Sequence, residues 1–568
     1  MLKRHWSILV LGCAIVGSTL LLFYLVRGLT PLVDVWGYLY AYRSWSPETL
    51  LTPHNGHLMV LSILLYKGMF ATFGLESQVP YQLVNLAFSA AVAALLFALV
   101  RRSLGDLLAL AAATLILFYG AGADVILPTF AYPNLFGLAT GLAALLLLRR
   151  SDLEGDIWVC ILLTISIAAY SLGIVFAAGA IAALALRPRG ERLRRCWVVA
   201  VPLVAYAAWA IWATKFHQQH LYVHNLKIIG SAVVDQASAV MSGLTGLYTT
   251  PNGPKPTENL VPIQTTWGPL LVGGLAVLAY WRLRRPPRLS NDAIVAIVVL
   301  LVYFLLVGIA LNQFRNTFDT RFVYVGSILM LIAVAELIAP YRPSRGGTIA
   351  IGVVFVFSMC ANVAELGDVA QSFRATSSAI RAKLAAVALA GPAADDSIAV
   401  EDPPGAVNFS VEQFHELDAD FGLPAYSREE LEASAPGARQ IADEELVRVL
   451  QIAPEPVRDV VATPGAPPLE VAVREGQPPA RRRGDCVVLV TQGDAKTNAL
   501  VKFGGAGVAY RSSAPVETAI GRFGDLPAAP LPTTNGANRI VIRAPSSLAP
   551  WTLAMNVSAP TLVCPVAG

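Results

Sequence analysis

The chain is 568 residues long, 55% hydrophobic and only 14% charged, with a mean hydropathy of +0.58. Soluble globular chains carry roughly a quarter charged residues, so this composition excludes an ordinary soluble enzyme, a disordered regulator and a nucleic-acid binder, in spite of a pI near 8.7. The net charge of +4 hides an asymmetry: residues 1–370 hold 25 Lys/Arg against 16 Asp/Glu, whereas residues 371–568 hold 17 against 22.

A membrane-crossing helix needs about 20 mostly apolar residues, because the hydrocarbon core is about 30 Å thick and a helix rises ~1.5 Å per residue. Stretches that meet or approach this test lie at about 6–28, 81–100, 106–122, 129–148, 157–186, 196–214, 266–281, 291–311, 321–340 and 347–367. The run 157–186 is too long for one crossing and is basic at both ends, so it reads as two short spans turning near Ser171–Gly173, which brings the total to eleven. The first run exceeds the apolar core of a secretory signal and no small-x-small cleavage site follows it, so it is expected to stay as the first span.

Lys/Arg in the short loops set the orientation. With a cytoplasmic N-terminus, 17 of these residues fall on the inside and eight on the outside, in much longer loops. This predicts a multi-pass protein of the cell (plasma or inner) membrane whose region beyond residue 370 is extracytoplasmic. Residues 57–74 are apolar enough for another span, but counting them would put Arg101 and Arg102 outside and invert every later basic loop. With Lys67 in mid-run they are expected to form an amphipathic helix on the outer face, inside one long outer loop, 29–80.

Beyond residue 370 the composition turns to mixed charge and Pro/Ala/Gly-rich stretches. Helical patterning covers 374–390 and 427–452, with Ser427 as an N-cap and Glu429 and Glu430 in the first turn. From 484 the pattern becomes short β runs, such as CVVLVTQ, NRIVIRA and WTLAMNV, separated by turns such as Thr533-Thr534-Asn535-Gly536. The expected fold is a polytopic α-helical membrane domain (1–370), a mixed helical linker region (371–483) and an extracytoplasmic β-sandwich (484–568). Cys486 and Cys564 bracket the β region and can pair in an oxidising compartment. Cys13, Cys160, Cys196 and Cys360 read as small apolar residues in or beside spans.

No Walker loop, GxGxxG after a strand, HExxH or zinc-type cysteine spacing is present. Nucleotide-driven transport and soluble-cofactor chemistry therefore have no support; no cofactor is certain, and a divalent metal is left open. The chemistry points instead to the first outer loop. Asp34 stands just beyond the first span, followed by Trp36, Tyr38, Tyr40, Tyr42, Arg43 and Trp45, and then by His54-Asn55-Gly56-His57. A carboxylate in a partly dry cleft can accept a hydroxyl proton, aromatic faces support sugar rings, and Arg or His can neutralise a phosphate. The aromatics fit an interfacial belt equally well, and Asp34 alone fits a helix cap.

A first span, an outer loop with an acid a few residues beyond it, an aromatic stretch and a surface helix resemble the GT-C superfamily of integral-membrane glycosyltransferases. Asp34 matches the superfamily's acidic position. Pro53-His54-Asn55-Gly56-His57-Leu58 lies where a His-Pro-Pro or Lys-Pro-Pro type motif is found, without the Pro-Pro pair. A second stretch, Asn312-Gln-Phe-Arg315-Asn316-Thr-Phe-Asp319-Thr-Arg321-Phe322-Val-Tyr324, is similar to late-span openings of lipid-sugar transferases that carry an arginine near the lipid phosphate. A forked guanidinium suits that phosphate, although Arg321 can also snorkel or pair with Asp319.

The resemblance implies transfer of a sugar from a polyprenyl-phosphate donor to a glycan, lipid or protein acceptor outside the cytoplasm. It makes Asp34 the base, places the donor phosphate among Arg315, Arg321, Arg43, His54 and His57, and leaves Trp36, Tyr38 and Asp124 facing sugar or acceptor. A polysaccharide polymerase or ligase, or a lipid-linked-glycan flippase, are the alternatives. Elsewhere, His217, His220 and His224 are spaced for one face of a polar helix extending the seventh span, and Glu336 lies near the cytoplasmic end of its span.

Overall fold

A computed structural model describes residues 2–32, 34–218, 221–249, 265–312, 315–339, 341, 344–400, 409–492, 495–533 and 538–567. His220 and the turn at Thr534-Asn535-Gly536 lie outside the described residues. The chain forms two compact units, one built essentially from residues 1–375, the other from Gly74–Glu76 and the chain from Thr376 onward.

In the first unit every predicted apolar stretch is helical. Among the described residues, six helices are long and apolar enough to cross a membrane: Trp6–Leu25, Val79–Leu104, Trp197–Phe216, Asn291–Ile309, Thr320–Ile338 and Arg345–Ala393. A seventh follows if Asp106–Leu117 and Gly120–Ile126, bent by 54°, count as one. Tyr132–Leu147, Gly173–Ala185 and Gly268–Leu283 hold 16, 13 and 16 residues. At ~1.5 Å per residue they reach only about 20–24 Å, short of the ~30 Å hydrocarbon core. Pro133 opens the first of these, and the break at Tyr170–Leu172 opens the second. The helices pack through small residues: a Cβ at Gly141 would lie 2.0 Å from the Phe176 ring, so only glycine permits that approach.

Three local expectations change. The segment 57–74 is not an amphipathic surface helix. Val60–Phe73 is a helix with Ile63, Tyr66, Met69 and Phe70 buried, and Lys67 is buried with them. Its ammonium is satisfied inside the protein by the carbonyls of Tyr42, Arg43 and Ser44. The helix that carries the last apolar run does not end near 367: Arg345–Ala390 is one helix of 46 residues, since no proline interrupts it. The loop 215–265, predicted to be outer, contains a further helix, Ile229–Thr245, whose polar and apolar residues segregate by face and lack the continuous apolar run of a span.

The second unit carries the helices Val411–Phe421, Arg428–Glu432 and Pro436–Val449. Ser427 caps the second of these in a capping box with Glu430, and Pro436 divides what the sequence pattern joins as 427–452. Two antiparallel sheets follow. The five-stranded one runs, edge to edge, Ala529–Pro530, Val516–Gly521, Trp551–Val557, Thr497–Phe503, Glu470–Val473. The six-stranded one runs Pro454–Pro456, Arg539–Arg543, Gly507–Arg511, Thr561–Val566, Cys486–Leu489, Arg481–Arg483. Strands Thr497–Phe503 and Trp551–Val557 alternate between buried and half-exposed positions, the signature of a sheet with one face in a core. A Cys486–Cys564 disulfide ties two neighbouring strands of the larger sheet. The two large sheets thus draw strands from Pro454 onward, before the predicted start at 484, and a short antiparallel pair, Ala399–Val400 with Phe409–Ser410, lies earlier still.

Asp443 fastens the helix Pro436–Val449 to the turn after Val516–Gly521. Its carboxylate accepts the backbone N–H groups of Arg522, Phe523 and Gly524, each at 2.8 Å. Replacing Asp443 by Ala orphans three donors, one buried and two partly buried, and is expected to cost the C-terminal unit about 2–4 kcal/mol. Denaturant unfolding followed through the buried Trp551 checks this; a loss below about 0.5 kcal/mol would contradict it.

Candidate functional site

The first loop is shaped by a chain of local constraints. Asp34 opens the helix Asp34–Ala41, where its negative charge faces the positive end of the peptide dipoles. At the other end the Lys67 ammonium holds the carbonyls of Tyr42, Arg43 (2.9 Å) and Ser44 (3.2 Å) and lies 4.5 Å from the Trp45 ring centroid. Tyr38, one turn beyond Asp34, rests on Tyr66 with ring centroids 4.6 Å apart, and Tyr66 stacks on Tyr132 at 4.1 Å. Burial, and next the nearby Asp34 carboxylate, hold the Tyr38 phenol well above its usual pKa, so it remains a neutral hydroxyl.

The stretch Pro53–Leu58 is a hairpin-like turn. His54 and His57 exchange backbone hydrogen bonds of 3.1 and 2.9 Å, and Asn55 and Gly56 sit at φ +46° and +71°. These are the two left-handed residues of a type I′ turn, for which Asn-Gly is the favoured pair. The turn presents both imidazoles. His54 Nε2 lies 3.6 Å from Asp34 Oδ1 and its ring 4.7 Å from that of Tyr38, while the His57 ring lies 4.5 Å from that of Tyr170. Gly56 N–H donates to Gln218 Oε1 at 3.1 Å and Leu58 N–H to Ser171 Oγ at 3.2 Å, which fix the turn against two other loops.

A second tight connection brings the arginines. Asn312 and Arg315 exchange backbone hydrogen bonds of 3.2 and 3.1 Å, and Arg315 reaches across to donate to the Asn55 carbonyl at 3.2 Å. Burial, helped by the like charge of Arg321, lowers the pKa of Arg315. A guanidinium stays charged in proteins, so this burial favours an anion beside it. Arg321 donates to the buried Asp319 at 3.1 Å. Asp124 is buried and accepts a hydrogen bond from the Thr320 hydroxyl.

These groups line one cavity of about 210 Å³ within the first unit. Asp34, Tyr38, His54, His57, Asp124, Arg315 and Arg321 all reach it, along with Asn134, Tyr170, Ser171 and Tyr303, which the sequence did not single out. The sequence signal for Tyr170 and Ser171 was the break between the two short spans of 157–186. Leu172, Ile174, Val175, Leu306, Val307 and Val325 supply an apolar wall. Every loop that contributes lies on the side the basic-residue bias predicts to be outer.

Two expected site residues are elsewhere. Trp36 is buried and its indole N–H donates to the Pro31 carbonyl at 3.0 Å, so it holds the loop and does not line the cavity. Arg43 is exposed at the far end of the Asp34 helix, its carbonyl bound by Lys67. His217 and His224 do not share a helix face: His217 is left-handed at φ +53° and ends the short turn Thr214–Phe216, and His224 sits in a separate turn, Val223–Lys227. Among the described residues no group of three or more His, Cys, Asp and Glu is placed to hold a metal ion.

Glu336 belongs to a different cavity, lined also by Arg149, Arg187 and Asp292, where Arg149 pairs with Asp292 at 2.6 Å and with Glu336 at 3.2 Å. No protein-family model matches the chain, and no curated protein matches it.

If Lys67 sets the position of Asp34 through the helix between them, Lys67→Met leaves three carbonyls without their donor, at about 2–3 kcal/mol. Amides of Asp34–Ala41 are then expected to exchange with solvent roughly 30- to 100-fold faster, measured by hydrogen–deuterium exchange. Unchanged exchange there would contradict the assignment.

Proposed function

We propose that this chain is a membrane glycosyltransferase that moves a sugar from a polyprenyl-phosphate donor to an extracytoplasmic glycan, lipid or protein acceptor. The observation that carries the proposal is the single cavity in which the Asp34–His54 pair shares space with Arg315 and Arg321 above an apolar wall. An acid for a hydroxyl proton, cations for a phosphate and a greasy surface for a prenyl chain are the parts this chemistry needs. The layout resembles that of the GT-C superfamily. In this reading the chain crosses the membrane eleven times, with the short helices Tyr132–Leu147 and Gly173–Ala185 largely buried against protein and reaching the interface through the loops that line the cavity. The N-terminus is cytoplasmic, and the β-rich region, read as a sandwich, is extracytoplasmic.

The acceptor hydroxyl binds with its proton toward Asp34, and its oxygen attacks the anomeric carbon. The new C–O bond forms as the bond from that carbon to the phosphate oxygen breaks, and the proton passes to the Asp34 carboxylate. The electron pair leaves with the polyprenyl phosphate, whose developing charge Arg315 and Arg321 stabilise. One direct displacement inverts the anomeric centre. His54 orients Asp34, and Tyr38 and Asp124 face the sugar.

Asp34→Asn keeps the shape and removes the base, so transfer from a polyprenyl-phosphate sugar in detergent should fall by roughly 10²–10⁴. Arg315→Gln should lower kcat/KM about ten- to a hundredfold, the loss of one charge-assisted bond to phosphate. Full transfer by the Asp34→Asn protein would refute its role; lipid translocation with no transfer by the wild-type protein would refute the activity.

A further inference from the structure

The segment Leu221–Ile228 presents an unusual surface. Asn225 is its one buried residue; the side-chain amide donates to the carbonyls of Ile309 at 3.0 Å and Leu311 at 2.8 Å, and Tyr222 N–H donates to Ile309 O at 3.0 Å. These bonds hang the segment on the C-terminal end of Asn291–Ile309, one of the helices long and apolar enough to cross a membrane. Around that anchor the large aliphatic side chains point outward: Leu221 is 59% exposed, Val223 78%, Leu226 54% and Ile228 47%. Lys227 and His224, both exposed, alternate with them. Leu221 also lines the cavity that holds Arg315.

A short turn tied to the end of a membrane-spanning helix lies at the level where hydrocarbon gives way to headgroups. Aliphatic residues interleaved with cationic ones suit that level, the chains entering the acyl region and the charges remaining among phosphates. We infer that Leu221–Ile228 is a lipid-binding surface inserted in the outer leaflet, and that it sets one wall of the cavity directly against the bilayer. The same exposure on a water-facing surface would leave four adjacent large aliphatics hydrated, which soluble surfaces avoid as a patch. This placement rests on the apolar spans and their predicted orientation and not on the transfer chemistry.

Spin labels test it in vesicles of equal parts phosphatidylethanolamine and phosphatidylglycerol. Labels are placed at Val223→Cys and, separately, Leu226→Cys, with the exposed Cys13, Cys196 and Cys360 replaced by Ser. Two valines of similar exposure serve as references: Val353 at 65%, in the apolar half of Arg345–Ala390, and Val461 at 67%, in the C-terminal unit. Both test labels are expected to match Val353→Cys, colliding several-fold more with dissolved oxygen than with a water-soluble nickel chelate. Values matching Val461→Cys would overturn the inference, and so would shielding from both reagents, which would mean that protein covers the segment.

Discussion

The Lys67 ammonium is the constraint on which the loop that follows the first apolar helix depends. It is buried, and a buried charge is tolerated only where polar groups surround it. The carbonyls of Tyr42, Arg43 and Ser44 supply that environment at the negative end of the Asp34 helix, where a cation is favoured by the peptide dipoles. The same contact fixes the direction of the helix, so its opposite end delivers Asp34 to the cavity. The stack of Tyr38 on Tyr66, one residue before Lys67, reinforces the alignment. A residue that looks in the sequence like the polar edge of a surface helix is therefore the anchor of the carboxylate with the strongest claim to chemistry.

The two membrane-side cavities differ in how their charges are used. At the end predicted to be cytoplasmic, Arg149 is neutralised by Asp292 and Glu336 in one network, and Ser103 donates to Glu336 at 2.8 Å. Such closed ion pairs hold helix ends together. In the cavity at the end predicted to be outer, Asp34 faces the His54 imidazole, and the Arg315 side chain bonds a backbone carbonyl. Charge there keeps capacity for a ligand, and the apolar wall beside it matches an amphiphile better than a water-soluble metabolite.

The apolar helices were legible because composition alone marks them, and the basic loops sorted the cavity's contributors to one side. Helix length was less legible. The apolar run of Arg345–Ala390 ends near residue 367 and charged residues follow, yet the helix continues to Ala390, where Gly391 at φ +52° and Pro392 end it. In the β-rich region the central strands Thr497–Phe503 and Trp551–Val557 carry the alternation that buries one face. Pro454–Pro456, Glu470–Val473 and Arg481–Arg483 were missed, and all three are edge strands. Edges are protected by proline and charge, which removes the pattern that reveals a strand. In the site, Asp34, His54, His57, Arg315 and Arg321 could be read from residue type. Trp36 and Arg43 could not be sorted from them, because residue type does not say which way a side chain turns: the Trp36 indole turns back to the Pro31 carbonyl, and Arg43 stands exposed beyond the far end of the helix.

The proposed reaction requires that the cavity of Asp34, Arg315 and Arg321 bind a lipid phosphate within reach of Asp34. A structure of the protein in lipid nanodiscs with a non-transferable polyprenyl-phosphate sugar analogue tests it most directly. The phosphate is predicted between the Arg315 and Arg321 guanidinium groups, with the sugar beside Asp34 and the prenyl chain along Leu306 and Val307. Phosphate bound instead among Arg149 and Arg187, or an outer cavity left without the analogue at saturation, would contradict the account.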